Sequence, residues 1–336
     1  MKYIAFAASP NQLIGIKEYI FDKGIKHYKI FIFLSTNIVV NKELDNAVRF
    51  LKLKNIIKVK RFNNSILNNL KLFYILFYLL IKFKNEKVIF IFSDFLNSFF
   101  HLLRAFFKRK TFVLTDDGFA SFWIYKKYIN KKIYLPIYQK NSIFNKKNKF
   151  LNFLLNYNFL MSFKFELFTI YANDLKLSRK STNNLKYCKS IQNKKIYYEN
   201  LVYIIGTKYY ENKNLSLEDE IYALKKIENF WKKKNLKIVY IAKRTTSFEK
   251  INIIKKNLKI KVIYYNLPLE LALISGKHKI PYYICSFGSG LDKSLPALFK
   301  DTSCYLVNVK KFEKKKFFQE YSFFFKKFNK NKIINL

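Results

Sequence analysis

The stretch Phe112-Val113-Leu114-Thr115-Asp116-Asp117-Gly118 joins an apolar segment to two carboxylates and a glycine. A strand that is buried on both faces of a parallel sheet has this kind of short apolar run. In open α/β sheets, ligands bind just beyond the carboxyl ends of the strands, and glycine there lets a substrate approach the backbone. The stretch therefore predicts a buried strand followed by a candidate catalytic base. An ordinary turn is the alternative, because Asp and Gly are both common in turns.

The residues on the N-terminal side of this stretch alternate between strand-like and helix-like patterns. Predicted strands cover residues 3–8, 27–34, 56–59, 87–92 and 111–114. Predicted helices cover residues 11–23, 41–52, 65–84 and 94–108. This alternation is typical of a parallel sheet with helices on its faces, so the first half is predicted to be a Rossmann-like domain.

A second α/β series begins near residue 201, after a less regular stretch that is rich in aromatic residues and lysine. Predicted strands cover residues 201–205, 237–241, 261–265 and 282–285. Predicted helices cover residues 216–234, 248–257 and 267–275, and Ser216 has the character of an N-cap. The sequence therefore predicts an α/β protein of two Rossmann-like domains that face a central cleft.

The formal net charge is +42, and the kind of basic residue decides which partners this charge favours. Only six residues are arginine, and lysine occurs together with many Asn, Ile, Phe and Tyr residues, whose codons are all AT-rich. Sequence-specific binding of nucleic acid favours the planar fork of arginine, so we expect no specific nucleic-acid partner. Each basic group near an anionic bilayer contributes roughly 1 kcal/mol, which favours peripheral contact with an anionic membrane.

The cysteines and the N-terminus indicate a reduced, cytoplasmic protein. Cys188, Cys285 and Cys304 have neither the spacing of a disulfide framework nor that of a metal site, so we predict free thiols and no metal. Residues 1–10 contain too short an apolar run for an export signal. Residues 72–81 supply about half of the roughly 20 apolar residues that span a bilayer.

Three loops of the second half follow predicted strands and carry groups that suit a nucleotide. They contain Lys243 and Arg244, then Pro268 and Glu270, and finally Ser286-Phe287-Gly288-Ser289-Gly290. Lysine and arginine can neutralise a phosphate, and a Ser/Gly loop that opens a helix can donate backbone N–H groups and hydroxyls to it. A carboxylate can accept hydrogen bonds from the ribose hydroxyls. Each feature alone also suits a surface residue or a turn, but their order favours a nucleotide site.

In the order of these motifs, the chain resembles the bacterial sialyltransferases of glycosyltransferase family 52 and, more distantly, the polysialyltransferases. Ser9-Pro10-Asn11-Gln12-Leu13 is similar to the family's opening strand and helix, and Asp116-Asp117-Gly118 is similar to its acidic pair and glycine. Ile205-Gly206 resembles the start of its donor domain. Pro268-Leu269-Glu270 and Ser286-Phe287-Gly288-Ser289 resemble its last two signatures. The similarity extends from about residue 2 to residue 307.

The resemblance implies a GT-B fold and an inverting, metal-independent glycosyltransferase. The donor would be a CMP-activated sialic acid or related nonulosonic acid, and the acceptor a sugar hydroxyl of lipooligosaccharide or capsule. Asp116 is implied as the general base with Asp117 beside it, although which of the two is the base stays open. Glu270 would hold the ribose of CMP, and Ser286 and Ser289 would hold its phosphate. No cofactor is implied beyond the activated donor.

The resemblance also implies a division of the chain. An N-terminal acceptor-side domain covers residues 1–198, a C-terminal donor domain covers residues 199–312, and a basic terminal helix or tail covers residues 313–336. Ser9, Pro10, Gln12 and Gly118 are placed on the acceptor side. Gly206, Lys243, Arg244, Pro268, Glu270, Ser286, Gly288 and Ser289 are placed on the donor side. The location would be the cytoplasmic face of the bacterial inner membrane, and a homodimer is possible.

Two positions depart from the family pattern. Lys243 stands where the family has a histidine, and Gly290 replaces the second serine of a pair. Lysine keeps the positive charge but, with an ordinary pKa of about 10.4, is a poorer proton donor at neutral pH. Three outcomes stay open: an active sialyltransferase, a transferase for a related nonulosonic acid, or a homologue that binds a CMP-sugar without turnover. A basic nucleic-acid-binding protein is a separate alternative.

Overall fold

The structure is a computed structural model of the chain that forms two compact units, Met1–Tyr187 and Cys188–Leu336. Each unit is built on a parallel sheet with helices, which confirms the predicted α/β class of two Rossmann-like domains. The boundary between these units lies at residues 187 and 188. The boundary predicted from the sequence lies between residues 198 and 199. The structure describes residues 1–61, 65–95, 97–107, 109–118, 121, 124, 165–175, 180–193, 195–243, 245–258, 260–312, 319 and 332–336.

The described part of the N-terminal unit contains a seven-stranded parallel sheet in the order β3-β2-β1-β4-β5-β6-β7. The strands are β1 (Lys2–Ala7), β2 (Tyr28–Phe33), β3 (Ile56–Val59), β4 (Val88–Phe92), β5 (Thr111–Thr115), β6 (Phe165–Thr169) and β7 (Lys180–Thr182). The interior strand β1 pairs with β2 on one side, where Ala5 lies opposite Ile30, and with β4 on the other, where Ala5 lies opposite Ile91.

Helices connect these strands. They are α1 (Pro10–Asp22), α2 (Ile38–Phe50), α3 (Ser65–Phe83), α4 (Ser98–Phe106) and the short α5 (Lys186–Ser190). Helix α1 begins at the N-cap Ser9, whose hydroxyl accepts a hydrogen bond from the Gln12 N–H, and Pro10 fits the first turn because that turn needs no N–H donor. Across the described parts of the chain, no helix has both the length and the apolar character needed to cross a bilayer.

Aromatic rings fill the core beneath the first strands. The ring of Phe6 stacks on Phe31 and Phe92, with centroid distances of 5.3 and 4.5 Å, and meets Phe99 of α4 edge to face at 5.4 Å. All four side chains are buried. Offset and edge-to-face pairs of this kind add to the apolar burial, so the high aromatic content serves the core here.

Strands β6 and β7 were not predicted from the sequence. The stretch between Gly118 and residue 200 was expected to lack a regular strand and helix pattern. Both pair in parallel beyond β5 and extend the sheet on that side. Strand β7 has only three residues, Lys-Ser-Thr, and none of them is buried. A short polar edge strand has no apolar run, which explains why β7 was not predicted.

The described part of the C-terminal unit contains a six-stranded parallel sheet in the order β10-β9-β8-β11-β12-β13. Its strands are β8 (Tyr198–Ile205), β9 (Lys237–Ile241), β10 (Lys261–Ile263), β11 (Ile280–Ser286), β12 (Ser303–Asn308) and β13 (Ile333–Asn335). Its helices are α6 (Leu217–Lys232), α7 (Phe248–Asn257), α8 (Leu269–Ile274) and α9 (Leu291–Leu298).

The prediction of a basic terminal helix or tail at residues 313–336 is wrong for the last residues. Ile333–Asn335 form β13, which pairs in parallel with β12 and places Leu306 opposite Ile333. This strand forms because Ile334 is buried in the core of the C-terminal unit. It was not predicted because the residues before it are rich in lysine. Residues 313–318 and 320–331 lie outside the described residues.

Gly15 determines how closely α1 approaches the end of β5. A Cβ atom built at this position would lie 2.9 Å from the Asp116 carbonyl oxygen and 3.1 Å from Thr115 Oγ1. A real Cβ does not tolerate 2.9 Å from a backbone atom, so any other residue would push the helix away from the strand. The glycine therefore sets the position of Asp116 relative to α1.

Gly15→Ala should destabilise the protein, although the same substitution inside an unobstructed helix usually stabilises by about 0.5–1 kcal/mol. We expect a loss of about 1–3 kcal/mol from the forced shift, measured by urea unfolding. Asn11→Ala at an exposed position of the same helix is the control and should change stability by less than about 0.5 kcal/mol. A stabilising Gly15→Ala would contradict the close approach.

Candidate functional site

Polar side chains converge on Asp116 at the carboxyl edge of the N-terminal sheet. Its Oδ1 accepts a hydrogen bond from Thr169 Oγ1 at 2.5 Å, and its Oδ2 accepts one from the Ile170 N–H at 2.8 Å. Asn183 Nδ2 lies 3.4 Å from the same Oδ2. Thr169 ends β6, Ile170 follows it and Asn183 follows β7, so the carboxylate connects the ends of three neighbouring strands. Asp116 is only 8% exposed.

The environment of Asp116 has two opposing effects on its ionisation. Burial raises the pKa of Asp116 from its ordinary 3.8 to about 6, while the hydrogen bonds from Thr169, Ile170 and Asn183 act in the lowering direction. Burial prevails because a charged carboxylate loses much of its hydration there. Shifted carboxylates at strand ends are candidates for functional groups.

Asp117 lies beside Asp116 but is more accessible, with a side chain of intermediate exposure. Gln12 Nε2 donates to Asp117 Oδ2 at 3.2 Å, and the Asp117 N–H donates to Ser121 Oγ at 2.8 Å. Gly118 follows with φ of +60°, in the left-handed region that favours glycine. The predicted pair therefore divides into one enclosed and one accessible carboxyl group.

Gln12 connects the start of α1 to this acidic pair. Its Oε1 accepts from the Ala8 N–H at 2.7 Å while its Nε2 donates to Asp117, so both ends of the amide are fixed. The Ser93 hydroxyl beyond β4 is hydrogen-bonded to Thr115 Oγ1 at 2.6 Å. Gln12 is therefore hydrogen-bonded to Asp117, while Ser9 and Pro10 form the start of the helix.

In the C-terminal unit, the loop after β8 is held by buried charges that sequence analysis missed. Gly206 follows this strand directly, and a Cβ there would lie 2.8 Å from the Ile241 carbonyl oxygen. Thr207 Oγ1 donates to Glu220 Oε1, and the Tyr210 N–H donates to Glu220 Oε2 at 3.2 Å. The loop is therefore anchored to the first turns of α6.

Lys250 completes this network from α7. Its Nζ lies 2.6 Å from Glu220 Oε1 and 3.3 Å from Glu211 Oε2, and it donates to the Thr207 carbonyl oxygen at 2.8 Å. The Lys250 side chain is fully buried. A buried ammonium needs such compensation, because the loss of hydration costs several kcal/mol per ion. Its sequence position within a helix gave no signal, since lysine on a helix is usually solvated.

Asp292 organises the predicted phosphate loop after β11. The Ser286 hydroxyl donates to both Asp292 carboxylate oxygens, at 2.9 and 2.7 Å, and accepts from the Gly288 N–H at 3.0 Å. The Ser289 N–H donates to Asp292 Oδ2 at 2.8 Å. Gly288 has φ of +107°, and Ser286 is buried. Ser286 therefore stabilises the loop from a buried position, whereas Ser289 is more accessible.

The ionisation of Asp292 depends on burial and on Lys243. Burial raises the pKa of Asp292 to about 7, while the hydrogen bonds and the positive charge of Lys243 act in the lowering direction. Lys243 is exposed and lies beyond the carboxyl end of β9. The structure thus brings Lys243 into electrostatic range of the Ser286–Gly290 loop. Arg244, predicted beside it, lies outside the described residues.

Glu270 lies in the first turn of α8, two residues after the N-cap Pro268. Its Oε1 accepts a hydrogen bond from Ser294 Oγ of α9 at 2.8 Å, and burial raises the pKa of the carboxyl group. The structure therefore places Glu270 next to the helix that follows the Ser/Gly loop. This arrangement keeps the predicted carboxylate and the loop in one unit.

The cysteines are buried free thiols, as predicted: Cys188, Cys285 and Cys304. In the portion of the chain that the structure describes, no group of three or more His, Cys, Asp or Glu side chains is arranged to hold a metal ion.

Comparisons with known proteins bear on the fold. No protein-family model matches the chain, and no curated protein sequence matches it. A putative UDP-N-acetylglucosamine 2-epimerase from Listeria monocytogenes is similar, with a TM-score of 0.56 and 11% identity over 91% of this chain and 78% of that one.

Two further solved structures are similar. UDP-GlcNAc 2-epimerase from Methanocaldococcus jannaschii, in complex with UDP-GlcNAc and UDP, has a TM-score of 0.53 and 14% identity over 91% of this chain and 83% of that one. The enzyme from Neisseria meningitidis, bound to UDP-GlcNAc, has a TM-score of 0.54 and 9% identity over 91% and 82%. At these identities the likeness establishes the fold, two Rossmann-like domains of the GT-B type.

The resemblance to the family 52 sialyltransferases is wrong. The similar structures are UDP-GlcNAc 2-epimerases, and no family model supports the sialyltransferase assignment. The motifs that carried it were short, and a parallel sheet places Asp, Ser and Gly residues at its carboxyl edge in many unrelated proteins. Their order reflected the fold and not the family.

The raised pKa of Asp116 predicts a pH dependence of stability. Between about pH 4 and 6 the Asp116 carboxyl group is largely ionised in the unfolded chain but keeps its proton in the folded chain. The stability that this group contributes therefore falls as the pH rises. Relative to Asp116→Asn, the wild type should lose an amount on the order of 3 kcal/mol between pH 4 and 7. Urea unfolding across this range measures it. Asp301→Asn, at an exposed position, is the control, and parallel curves for wild type and Asp116→Asn would contradict the shift.

Lys250→Met should strongly destabilise the C-terminal unit, because Glu220 would then be buried without its cation. The expected loss is about 3–5 kcal/mol, measured by urea unfolding. Lys255→Met, on the exposed side of the same helix, should change stability by less than about 0.5 kcal/mol. The double variant Lys250→Met with Glu220→Gln should cost less than the sum of its two single changes. Additive losses would show that the pair is not coupled.

Proposed function

We propose that this protein binds a nucleotide-activated sugar in its C-terminal unit and transfers the sugar to an acceptor hydroxyl, with the Asp116–Asp117 pair supplying the base. The observation that carries the proposal is this pair at the carboxyl end of β5, where one carboxyl group is enclosed and the other is accessible. In sheets of this type the carboxyl edge is the position where ligands bind.

We assign the base to Asp117 and a positioning role to Asp116. A base must come within about 2.6–3.2 Å of the proton that it removes. Both Asp116 oxygens already accept hydrogen bonds from residues at the end of β6. Asp117 is oriented by Gln12 and keeps a partly exposed side chain, so an acceptor hydroxyl can reach it.

The donor side is proposed at the edge formed by Lys243, Glu270 and the Ser286–Gly290 loop. The positive charge of Lys243 suits a phosphate that carries growing negative charge as the sugar departs. Ser289, which is more accessible than Ser286, is the hydroxyl best placed to donate to that phosphate. Glu270 is the candidate for the ribose hydroxyls. The leaving group would then be stabilised by protein groups, and neither a metal nor a cofactor is part of the proposal.

The bound nucleotide is proposed from the similar structures. The M. jannaschii and N. meningitidis epimerases were solved with UDP-GlcNAc, and the former also with UDP. We therefore propose a UDP-activated sugar as the first donor to test. The acceptor class in this proposal is a glycan hydroxyl.

A second candidate, inversion of configuration within the bound sugar, is favoured by the same comparisons, since the similar structures are 2-epimerases. The two reactions share the nucleotide site but differ in their products. Transfer releases the nucleotide and needs an acceptor, whereas epimerisation returns a nucleotide-sugar.

The donor site is tested by calorimetric titration of the full chain with UDP, CMP and UDP-GlcNAc. Lys243→Ala should weaken UDP binding about tenfold through loss of its charge. Lys237→Ala is the matched control, because Lys237 is an exposed lysine at the amino end of the same strand, and its affinity should not change. Asp117→Asn should retain UDP affinity and lose at least about 100-fold in nucleotide release with a glycan acceptor mixture. Absence of any nucleotide binding, or turnover unaffected by Asp117→Asn, would overturn the assignment.

A further inference from the structure

Helix α3 has an apolar stripe that faces solvent. Its members recur at helical spacing and are exposed by 46, 60, 73, 64 and 72%: Leu67, Leu70, Tyr74, Phe77 and Ile81. At 1.5 Å per residue, the stripe runs for about 21 Å along the helix. Single exposed apolar residues are common on protein surfaces, but a continuous row of five on one helix indicates a binding surface.

The opposite side of α3 already packs against the core. Ile75, Leu76, Leu79 and Phe83 are each exposed by 6% or less. The helix therefore does not need the solvent-facing stripe for its attachment to the sheet. The solvent-facing residues can therefore be substituted without disturbing the packing of the core.

The stretch of sequence that contains α3 is basic. Between Asp45 and Glu86 there is no acidic residue, while the basic residues are Arg49, Lys52, Lys54, Lys58, Lys60, Arg61, Lys71, Lys82 and Lys84. On the helical spacing, Lys71 and Lys82 border one side of the stripe, and Lys84 lies on the other side just after the helix. An apolar face with basic borders complements an anionic lipid surface, where the apolar side chains enter the interface and the lysines meet phosphate.

A second copy of the chain is a poorer occupant. Two α3 stripes packed against each other would bring the bordering lysines of both copies together, in a protein whose net charge is +42. Like charges at a contact cost energy. The anionic surface relieves this repulsion, and a second copy increases it.

We infer that α3 is a docking helix that lays its stripe, Leu67, Leu70, Tyr74, Phe77 and Ile81, into the surface of an anionic lipid bilayer. The helix lies in the plane of the interface and remains attached to the N-terminal sheet by its buried side. This places the candidate base of the same unit on a membrane-bound protein. The basic, aromatic segment at residues 122–128, which also suits an interface by sequence, lies largely outside the described residues.

The test is flotation of the full chain with vesicles of phosphatidylcholine, with and without phosphatidylglycerol. Wild type should float with the anionic vesicles only, and Phe77→Gln and Ile81→Gln should each lower the partition coefficient about tenfold. The matched controls are Phe248→Gln and Ile38→Gln, which remove the same side chains at positions 79 and 81% exposed elsewhere on the surface. Both controls should bind as wild type does.

A tryptophan probe distinguishes insertion of the stripe from general attraction of a basic protein. Phe77→Trp should show a blue shift of its emission with anionic vesicles, and Phe248→Trp should show none. Binding that is equal in all four glutamine variants would overturn the inference, since it would depend on net charge alone. Sedimentation velocity supplies the other contrary result: a wild-type dimer that Ile81→Gln converts to a monomer, without vesicle binding, would make the stripe a self-association surface.

Discussion

In both sheets each described strand pair is parallel, so the loops that follow the strands all leave from one edge. That edge also collects the residues immediately after each strand, whatever their distance in sequence. Asp116 after β5 meets Thr169 and Asn183, which lie 53 and 67 residues further along the chain. The same constraint brings Glu220 and Lys250 to the loop that follows β8. Both candidate sites are consequences of this common direction.

The carboxyl edges of the two sheets stabilise a buried carboxyl group in the same way. Each has a buried carboxyl group that accepts hydrogen bonds from a hydroxyl and a backbone N–H: Thr169 and Ile170 for Asp116, and Ser286 and Ser289 for Asp292. In each case burial raises the pKa and the hydrogen bonds oppose it. A carboxyl group of this kind can hold its loop in either protonation state, because a hydroxyl can donate or accept. The two carboxyl groups can therefore hold their loops in place even though, among the residues that the structure describes, neither one forms a buried ion pair with a cation.

The sequence was sufficient for the fold where apolar runs are strong and insufficient where they are weak. Strands β3 and β9 and helix α7 have the bounds that the pattern predicted, since their apolar residues are periodic and their ends are polar. Strand β7 is short and polar, and β13 follows a lysine-rich stretch, so neither was predicted. The candidate base was found because Asp116 and Asp117 directly follow an apolar strand. Lys250 was missed because its partners come from other elements, and side-chain pairing across a fold leaves no local pattern. Asp292 was missed although its partners Ser286 and Ser289 lie only six and three residues before it in the chain.

The same reasoning explains why motif order misled the assignment of family while the fold was correct. Any two-domain protein with parallel sheets must place polar and small residues after its strands, so the order of short motifs repeats the order of the strands. A more specific signal has to come from residues that the fold does not require. Lys243 is one, because it is exposed and yet lies within electrostatic range of Asp292. The apolar stripe of α3 is another, because the core is complete without it. These two features therefore add to the Asp116–Asp117 pair a signal that short glycine and serine motifs alone do not give.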